Sequence, residues 1–374
     1  MREGWVEKKL GNLCVVLDSQ RKPVAKINRK KGIFPYYGAN GLLDYVDDYI
    51  FEGKYVLLGE DGANWDSNAS SSYIVDGKIW VNNHAHVIKV NNLLNDEYLV
   101  YYLNYKDLNK YISGAIIKKL TQSSLKEINI EYPDLSFQEK IVSELDKISE
   151  MISKYDEQLK ELDKLSQSIF YEMFGDPVEN EKGWEVKKLG YICDVRDGTH
   201  DSPKYVLKSE YILITSKNIV NGRIDFDNVN FITEEDYVQI NKRSKVDDGD
   251  IIMPMIGTIG NPIIVQTNNI YKFCIKNVAL IKFIKEATIK NLFLLNLLKT
   301  TAYAEYLISL NKGGTQKFVS LGIIRNLPII LPPLPLQQSF ARKIEAIEAM
   351  KSKVREAKKE AETLLAARMQ YWFE

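Results

Sequence analysis

The sequence has few of the residue types from which catalytic and metal sites are usually built. Its 374 residues include three histidines and three cysteines. Cys14, Cys193 and Cys274 have neither metal-ligand nor disulfide spacing, which predicts buried thiols and a cytoplasmic location. No run approaches the roughly 18 apolar residues of a membrane span, and the first residues are polar. We therefore expect neither a membrane span nor a signal peptide.

The chain also lacks a net charge, because 50 basic residues balance 50 acidic ones. This balance argues against a protein that coats DNA indiscriminately. The charge is nevertheless segregated, with a net −6 over residues 137–180 and +2 over residues 336–374. The composition, 45% apolar and 27% charged, is that of a globular protein, and the length favours two domains.

Catalytic motifs are missing from the sequence. It has no glycine-rich phosphate loop, no Asn/Asp-Pro-Pro-Tyr/Phe tetrapeptide of an amino-methyltransferase, and no nuclease Glu-x-Lys after Pro133-Asp134. His84 and His86 would lie on one face of a strand and could hold a metal, but no cysteine or carboxylate cluster accompanies them. A polar contact to a ligand, or ordinary strand structure, is the favoured interpretation.

The clearest feature of the chain is an internal repeat. Gly4–Gly11 (GWVEKKLG) recurs as Gly183–Gly190 (GWEVKKLG), and Pro133–Gln138 (PDLSFQ) recurs as Pro332–Gln337 (PPLPLQ). Smaller landmarks between them keep the same order: Cys14 and Asp18 match Cys193 and Asp197, and Asn83 and Ala85 match Asn277 and Ala279. The second copy carries extra residues near 227–248, which predict a short inserted helix opening at Thr233. The chain is therefore interpreted as a tandem duplication.

Each copy consists of a globular part and a long helix. The globular part mixes β-branched and aromatic runs with turn signals and later acquires helical spacing, which predicts an α+β fold. The predicted boundaries are residues 1–136 for domain 1, 137–174 for the first helix and 175–182 for a linker. Domain 2 then spans residues 183–335, and the second helix spans 336–374.

Heptad spacing marks both helices, with apolar residues alternating at intervals of three and four. These apolar residues form a stripe, or seam, along each helix. The seam of the second helix is weaker, because Lys351, Lys358 and Arg368 occupy core positions. The residues expected to pack along the seams are Leu145, Ile148, Ile152, Tyr155, Leu159, Leu162, Ile344, Ile347, Val354 and Leu365.

An acidic helix and a basic helix in one chain favour an intramolecular coiled coil. In a duplicated chain with pseudo-twofold symmetry the two helices must run antiparallel. Each would be about 55 Å long at about 1.5 Å per residue. The alternative is two separate surface helices. It is disfavoured because an apolar seam of this length would be exposed to water on each helix.

Because the sequence lacks catalytic and metal-site motifs, its remaining polar features are interpreted as binding residues. Short turns that mix basic, amide and hydroxyl groups occur at matching places in both copies, at Lys118–Ser124 and Asn311–Lys317. A further basic run spans Arg21–Lys31. Lysine and arginine neutralise phosphates, while asparagine, glutamine and arginine bond to base edges. One such run alone is usually a solvated loop, but the recurrence in both copies favours nucleic-acid binding.

These residues together resemble the DNA-specificity (S) subunits of type I restriction-modification systems, over nearly the whole chain. The resemblance rests on the ordered landmarks Gly4–Gly11 with its repeat, Phe170–Pro177, Asp197–Pro203, Gly249–Gly260, Gly313–Gln316 and Pro332–Gln338. It implies a non-catalytic subunit with two target-recognition domains, each reading one half of a bipartite target in double-stranded DNA. The helices would set the spacer between the half-sites.

The resemblance also implies the partners. Two methyltransferase (M) subunits, which bind S-adenosylmethionine, would dock on the helices, and two restriction (R) subunits, which use ATP and magnesium, would join them. No cofactor or metal is expected in this chain itself.

Candidate DNA-binding residues are carried over only at matched turns. In the second copy they are Thr199, His200, Thr258, Thr315, Gln316 and Lys317. In the first copy they are Asn64, His84, Lys118, Lys119 and Gln122. The first copy departs from the second, with Asp18-Ser19-Gln20 in place of Asp197-Gly198-Thr199-His200, so the two domains need not contact DNA alike.

Four alternatives stay open at this point. The chain could serve a system whose nuclease and methyltransferase share one polypeptide, or it could be an orphan DNA-binding scaffold. It could itself be a nucleic-acid-modifying enzyme, which the missing motifs disfavour. A protein–protein scaffold without a DNA role would show no salt-dependent DNA binding.

Overall fold

The computed structural model describes residues 2–114, 116, 118–220, 222–256, 260–268, 270–284, 288–310 and 318–374. The chain forms two compact units, Met1–Asp156 with Arg355–Glu374, and Glu157–Val354. Each unit therefore contains one globular part and a portion of both long helices. Among the described residues, none of the helices has the length and apolar composition to cross a membrane.

Unit 1 is built from short strands, two short helices and the beginning of a long one. The strands are β1 (Val6–Lys9), β2 (Cys14–Val16), β3 (Lys31–Gly38), β4 (Gly41–Val46), β5 (Phe51–Glu52), β6 (Tyr55–Gly59), β7 (Ser72–Val75), β8 (Lys78–Val81), β9 (Ala85–Val90), β10 (Ile112–Ser113), β11 (Lys119–Leu120) and β12 (Asn129–Tyr132). The helices are α1 (Asp96–Tyr105), α2 (Gln122–Lys126) and α3 (Leu135–Phe174), and α3 continues into unit 2.

Unit 2 repeats this arrangement and contains one inserted helix, α5 (Glu234–Ser244). Its strands are β13 (Val186–Lys188), β14 (Cys193–Asp197), β15 (Tyr205–Val206), β16 (Tyr211–Ile214), β17 (Ile219–Val220), β18 (Arg223–Ile224), β19 (Asn230–Ile232), β20 (Ile251–Pro254), β21 (Ile263–Ile264), β22 (Lys272–Ile275), β23 (Val278–Phe283) and β24 (Pro328–Ile330). Its helices are α4 (Leu189–Ile192), α5 (Glu234–Ser244), α6 (Asn291–Lys299), α7 (Thr301–Ser309), α8 (Leu321–Arg325) and α9 (Leu334–Phe373), and α9 continues into unit 1.

The sheet topology confirms the duplication. Antiparallel sheets of order β2-β9-β6-β7 and β14-β23-β20-β21 correspond to each other. Each unit also has a second four-stranded sheet with one parallel pair, β3 with β8 in unit 1 and β16 with β22 in unit 2. The predicted inserted helix is α5, and the Thr233 side chain caps it by accepting a hydrogen bond from the Asp236 N–H.

A buried glutamine fixes the start of each long helix. Gln138 accepts from the Asn95 N–H at 2.8 Å and donates to the carbonyl oxygens of Leu93 and Pro133. Gln337 likewise accepts from the Lys290 N–H at 2.9 Å and donates to Thr288 and Pro332. Both side chains are fully buried, so these bonds satisfy polar groups that water cannot reach. They join α3 to the start of α1, and α9 to the start of α6.

The two long helices each contain 40 residues and pack against each other. Within unit 1, Asp156 on α3 lies 2.7 Å from Lys358 on α9, and Glu144 forms an ion pair with Arg368. Within unit 2, Asp163 lies 2.7 Å from Lys351. Within unit 1, a step forward along α3 from Glu144 to Asp156 thus moves the partner on α9 back from Arg368 to Lys358. The packing is antiparallel, as the pseudo-twofold symmetry of a duplicated chain predicts.

These ion pairs explain the weak second seam. Lys351, Lys358 and Arg368 stand at core positions of α9, and each contacts a carboxylate on α3. The ten residues expected to pack along the seams are all buried or half-buried. The predicted fold class, α+β with two repeated domains and two long antiparallel helices, is confirmed.

The end of a long helix completes the core of each unit. In unit 1, the Phe373 ring of α9 lies 5.5 Å from Tyr98 and 5.7 Å from Tyr102 on α1. In unit 2, the Phe174 ring of α3 lies 4.8 Å from Phe293 on α6. Phe174 and Phe373 hold equivalent places in the two copies and are both buried, so each anchors one helix end in a core.

The three cysteines are free thiols. Cys193 and Cys274 are buried, and Cys14 is half-buried, with its thiol donating to the Leu10 carbonyl oxygen at 3.1 Å. Burial raises the pKa of each thiol to about 12. The prediction of buried thiols is therefore confirmed for Cys193 and Cys274, whereas Cys14 is only half-buried.

Candidate nucleic-acid interface

Unit 1 contains a group of charged side chains that we term the Asp18 cluster: Asp18, Arg21, Glu60, His86 and Lys119. Asp18 follows β2, Glu60 follows β6, and His86 lies in β9. Because β9 stands between β2 and β6 in one sheet, the three side chains meet at the same place. They are also nearly inaccessible, with Glu60 7% and His86 0% exposed.

Hydrogen bonds connect every member of the Asp18 cluster. His86 Nδ1 lies 2.6 Å from Asp18 Oδ2, and its Nε2 lies 2.7 Å from the Leu120 carbonyl oxygen. Arg21 Nη1 donates to Glu60 at 2.6 Å, and Lys119 lies 2.7 Å from the other oxygen of Glu60. Each ring nitrogen of His86 therefore lies within hydrogen-bonding distance of an oxygen atom.

The two carboxyl groups of the cluster are stabilised in the charged form. Burial by itself raises the pKa of Asp18, but bonds and charges from His86, Val87 N–H and Arg21 outweigh it and hold the pKa below its ordinary value. The pKa of Glu60 is lowered in the same way, with Lys119 and Arg21 outweighing its burial. The cluster is therefore an ion-pair network at neutral pH.

A metal would have to displace this network. Asp18, Glu60 and His86 place ligand atoms within 4.8 Å of one another. Arg21 and Lys119 already neutralise those carboxylates, and His86 uses both ring nitrogens in hydrogen bonds. The donor set fits an ion-pair network better than a cation site. The expectation that no carboxylates accompany the two histidines is wrong for His86, which lies beside Asp18 and Glu60. His84 precedes β9, is exposed and lies 2.5 Å from Asp61.

Three of the five candidate residues of the first copy, His84, Lys119 and Gln122, lie in or beside the Asp18 cluster. Lys119 belongs to it, and Gln122 donates to Asp18 at 3.4 Å. His84 reaches Asp61, the residue after Glu60. Lys118 and Asn64 are exposed, and Asn64 accepts a hydrogen bond from the Asp66 N–H. The structure thus places His84, Lys119 and Gln122, which are separated in the sequence, around one cluster.

Unit 2 has a related group, the Asp197 cluster: Asp197, His200, Arg243 and Asn277. Asp197 ends β14 and is 5% exposed. His200 Nε2 lies 2.7 Å from Asp197 Oδ2, and His200 Nδ1 lies 3.1 Å from Asn277 Oδ1. Arg243, on α5, donates to the second oxygen of Asp197. One buried carboxylate therefore holds two cationic side chains.

The loop that carries His200 depends on a glycine. A Cβ at Gly198 would lie 2.2 Å from the Ile275 carbonyl oxygen, so a larger residue would force the loop away from β22. Thr199 donates its N–H to that same carbonyl at 3.0 Å. The hydrogen bonds of His200 to Asp197 and Asn277 raise its pKa above the ordinary value of 6.5. The remaining candidates of the second copy, Thr258, Thr315, Gln316 and Lys317, lie outside the described residues.

Sequence reasoning missed several members of both clusters. Arg21 was noted only as part of a basic run, and neither Glu60 nor Arg243 was singled out. Arg21 and His200 hold equivalent places, three residues after the matched Asp18 and Asp197, and that spacing was an available signal. No such repeat signal pointed to Arg243, because its helix is absent from the first copy.

Comparison with known proteins agrees with this organisation. The family model described as the type I restriction modification DNA specificity domain matches residues 2–164 and 181–362, one match for each copy. A Haemophilus influenzae protein named as a type I restriction enzyme specificity subunit is 28% identical over 93% of this chain and 89% of its own length. The MjaVIII specificity subunit of Methanocaldococcus jannaschii is 23% identical over 97% of this chain and 92% of its own.

Solved structures show the same fold. The S subunit of a type I restriction-modification system from M. genitalium superposes with a TM-score of 0.57 at 13% identity, covering 99% of this chain and 96% of that one. A chain of another type I system gives a TM-score of 0.51 at 17% identity, covering 100% and 98%. The two relatives are named as specificity subunits. The chain belongs to the type I restriction-modification DNA specificity family.

Proposed function

We propose that this chain selects the DNA target of a type I restriction-modification complex, with each recognition domain reading one half of a bipartite sequence. The observation that carries the proposal is the occurrence of two copies of the specificity domain, each with a polar cluster at the same place in its sheet. Two domains of different surface chemistry suit two different half-sites. In unit 1 the two basic side chains bonded to Asp18, Arg21 and His86, are buried, whereas in unit 2 the two bonded to Asp197, His200 and Arg243, are exposed.

The long helices would set the distance between the half-sites and carry the methyltransferase subunits. A 40-residue helix is about 60 Å long and reads no bases itself. Its ion pairs to the other helix, such as Asp156 with Lys358, resist sliding, because a slip by one residue would separate the charges. Two M and two R subunits would complete the complex. S-adenosylmethionine would bind to M, ATP and magnesium would bind to R, and base flipping would be carried out by M.

A methylome of the host with and without the gene tests the proposal directly. Loss of one bipartite adenine-methylation motif on deletion is the expected result, and it would reveal both half-sites and the gap. An unchanged methylome in a host that expresses the chain would contradict the proposal. Co-purification then separates the alternatives: a single fused nuclease-methyltransferase partner, separate M and R subunits, or none, as expected for an orphan DNA-binding scaffold.

A matched pair of insertions tests the spacer. One extra heptad in both α3 and α9, at paired positions, preserves the seam and lengthens the helices by about 10 Å, or about three base pairs. We expect the unread gap to grow while both half-sites stay unchanged. The control substitutes only the exposed positions of one native heptad and should leave the gap as it was. Loss of base preference in one half-site would show that the helices do not act as a ruler.

A further inference from the structure

The Asp197 cluster presents two cations to solvent from a buried anchor. The Asp197 side chain is 8% exposed, whereas the side chains of His200 and Arg243 are 54% and 64% exposed. The two cations approach the same carboxylate from different elements, His200 from the loop after β14 and Arg243 from α5. One negative charge thus orients two positive groups that water, or another ligand, can reach.

The equivalent place in unit 1 is organised in the opposite way. There Asp18 holds Arg21 and His86, which are 11% and 0% exposed, and Glu60 supplies a second carboxylate. At the repeat offset of Ala85 and Ala279, Glu60 corresponds to Pro254 and His86 to Leu280. Unit 2 therefore lacks the second acid and the buried imidazole, and both side chains bonded to Asp197 keep more than half of their surface exposed.

We propose that Arg243 contacts a backbone phosphate of the DNA at the half-site read by the second domain, with Asp197 and His200 as positioning residues. The inference rests on the proposed function and adds a contact to it. A guanidinium group has five N–H donors in a planar fork. Asp197 takes the donor at Nη2, and the exposed remainder of the fork suits the oxygens of a phosphate.

The arrangement favours a phosphate over a base edge. Arg243 is held at one end by a buried carboxylate, so its position is fixed before DNA arrives and less side-chain entropy is lost on binding. His200 adds a second positive group on the other oxygen of Asp197. The raised pKa of His200 is consistent with a charged ring beside that carboxylate. Contacts of this kind position a protein on the duplex and carry no sequence information.

The chain offers a matched control in the neighbouring residue. Lys242 lies beside Arg243 on α5, is exposed, and bonds only locally to Gln239 at 3.2 Å among the contacts described for it. Arg243→Gln and Lys242→Gln remove the same charge from the same helix. If only the total charge of the helix mattered, both variants would lower the DNA affinity equally. If Arg243 contacts a phosphate, only Arg243→Gln should lower it.

The experiment measures binding of the complex purified from the host to its target duplex over a range of salt concentrations. For Arg243→Gln we expect affinity at 0.1 M salt to fall about eightfold, and the slope of log K against log salt to decrease by about one. The loss should be the same whichever half-site is scrambled, because a phosphate contact is independent of the bases. Lys242→Gln should keep the wild-type slope, and a thermal unfolding curve of each variant checks that it is folded at the temperature of the binding assay.

Asp197→Asn separates positioning from contact. It keeps the charge of Arg243 but removes its anchor, so affinity should fall while the salt slope stays that of the wild type. Equal slopes for Arg243→Gln, Lys242→Gln and wild type would overturn the inference while leaving the proposed function intact. A wild-type complex without salt-dependent DNA binding would instead overturn the proposed function itself.

Discussion

The ring of Phe373, at the end of α9, packs 5.5 Å from the ring of Tyr98 on α1, so one of the last residues of the sequence belongs to the core of the first recognition domain. Phe373→Ala should destabilise unit 1 by about 3–5 kcal/mol, as expected when a buried aromatic ring is removed. Urea unfolding of the complete chain measures the change. Gln370→Ala, an exposed change on the same helix, should stay within about 0.5 kcal/mol. A similarly small effect of Phe373→Ala would show that the helix end does not contribute to that core.

The buried glutamine of α9 gives a second prediction. Gln337→Ala removes three hydrogen bonds and leaves the Lys290 N–H and the Thr288 and Pro332 carbonyl groups without this partner. We expect a loss of about 2–4 kcal/mol in the free energy of unfolding, because the partners become unsatisfied. Gln338→Ala changes the exposed neighbour and should be nearly neutral. Equal stability of the two variants would mean that water replaces the lost side chain.

Acid sensitivity of unit 1 should depend on Asp18. The pKa of Asp18 is lower in the folded protein than its ordinary value of 3.8, so its contribution to stability is present above pH 3.8 and is lost as pH falls through the lowered folded-state pKa. Asp18→Asn should cost about 3–5 kcal/mol at pH 7, because Arg21 and His86 lose their shared carboxylate. The variant should also have a shallower dependence of stability on pH in that acid window.

Unfolding curves from pH 7 down to about pH 2, which extend through the acid window below 3.8, measure both effects. Asp48→Asn is the control, because Asp48 is exposed and accepts from the neighbouring Tyr49 N–H. It should follow the wild-type curve. A loss below about 1 kcal/mol for Asp18→Asn would show that the Asp18 cluster is not a stabilising network.

Titration of His200 provides a fourth prediction. Its pKa is raised in the folded protein, so the associated stability is present below about pH 6.5 and is lost as pH rises through the folded-state pKa. With three histidines in the chain, nitrogen-15 labelling of histidine gives few signals to assign. We expect a midpoint above 6.5 in the wild type and a lower midpoint in Asp197→Asn. Asp201→Asn changes the adjacent residue and removes no bond to the ring, so it should leave the midpoint almost unchanged. A midpoint unaffected by Asp197→Asn would refute the assigned cause.

The long helices were predictable because their signal is local. Residues three or four apart share a helix face, so the apolar seam from Leu145 to Leu162 is visible in the sequence. The inserted helix was also predictable, since Thr233 followed by acidic residues is a start signal. The cations at Lys351 and Lys358 weakened the pattern, and only the antiparallel register shows which carboxylates they meet.

The clusters could be predicted only in part. Asp18 and Asp197 stood out by repetition, but Glu60 and His86 reach Asp18 from other strands, and no local pattern gives the order of strands in a sheet. Arg243 reaches Asp197 from a helix that the first copy lacks. Candidates chosen as basic or amide turns therefore included Lys119, whose ammonium group is engaged by Glu60.

The buried thiols have a practical consequence for labelling. With a pKa of about 12, each native cysteine is a thiolate in only about one molecule in ten thousand at pH 8, and the thiolate is the form that reacts with maleimides. A cysteine introduced on an exposed loop would have an ordinary pKa and would react far faster. Donor and acceptor dyes could therefore be attached to the two recognition domains without removing a native cysteine, and the distance between them could be followed as DNA binds.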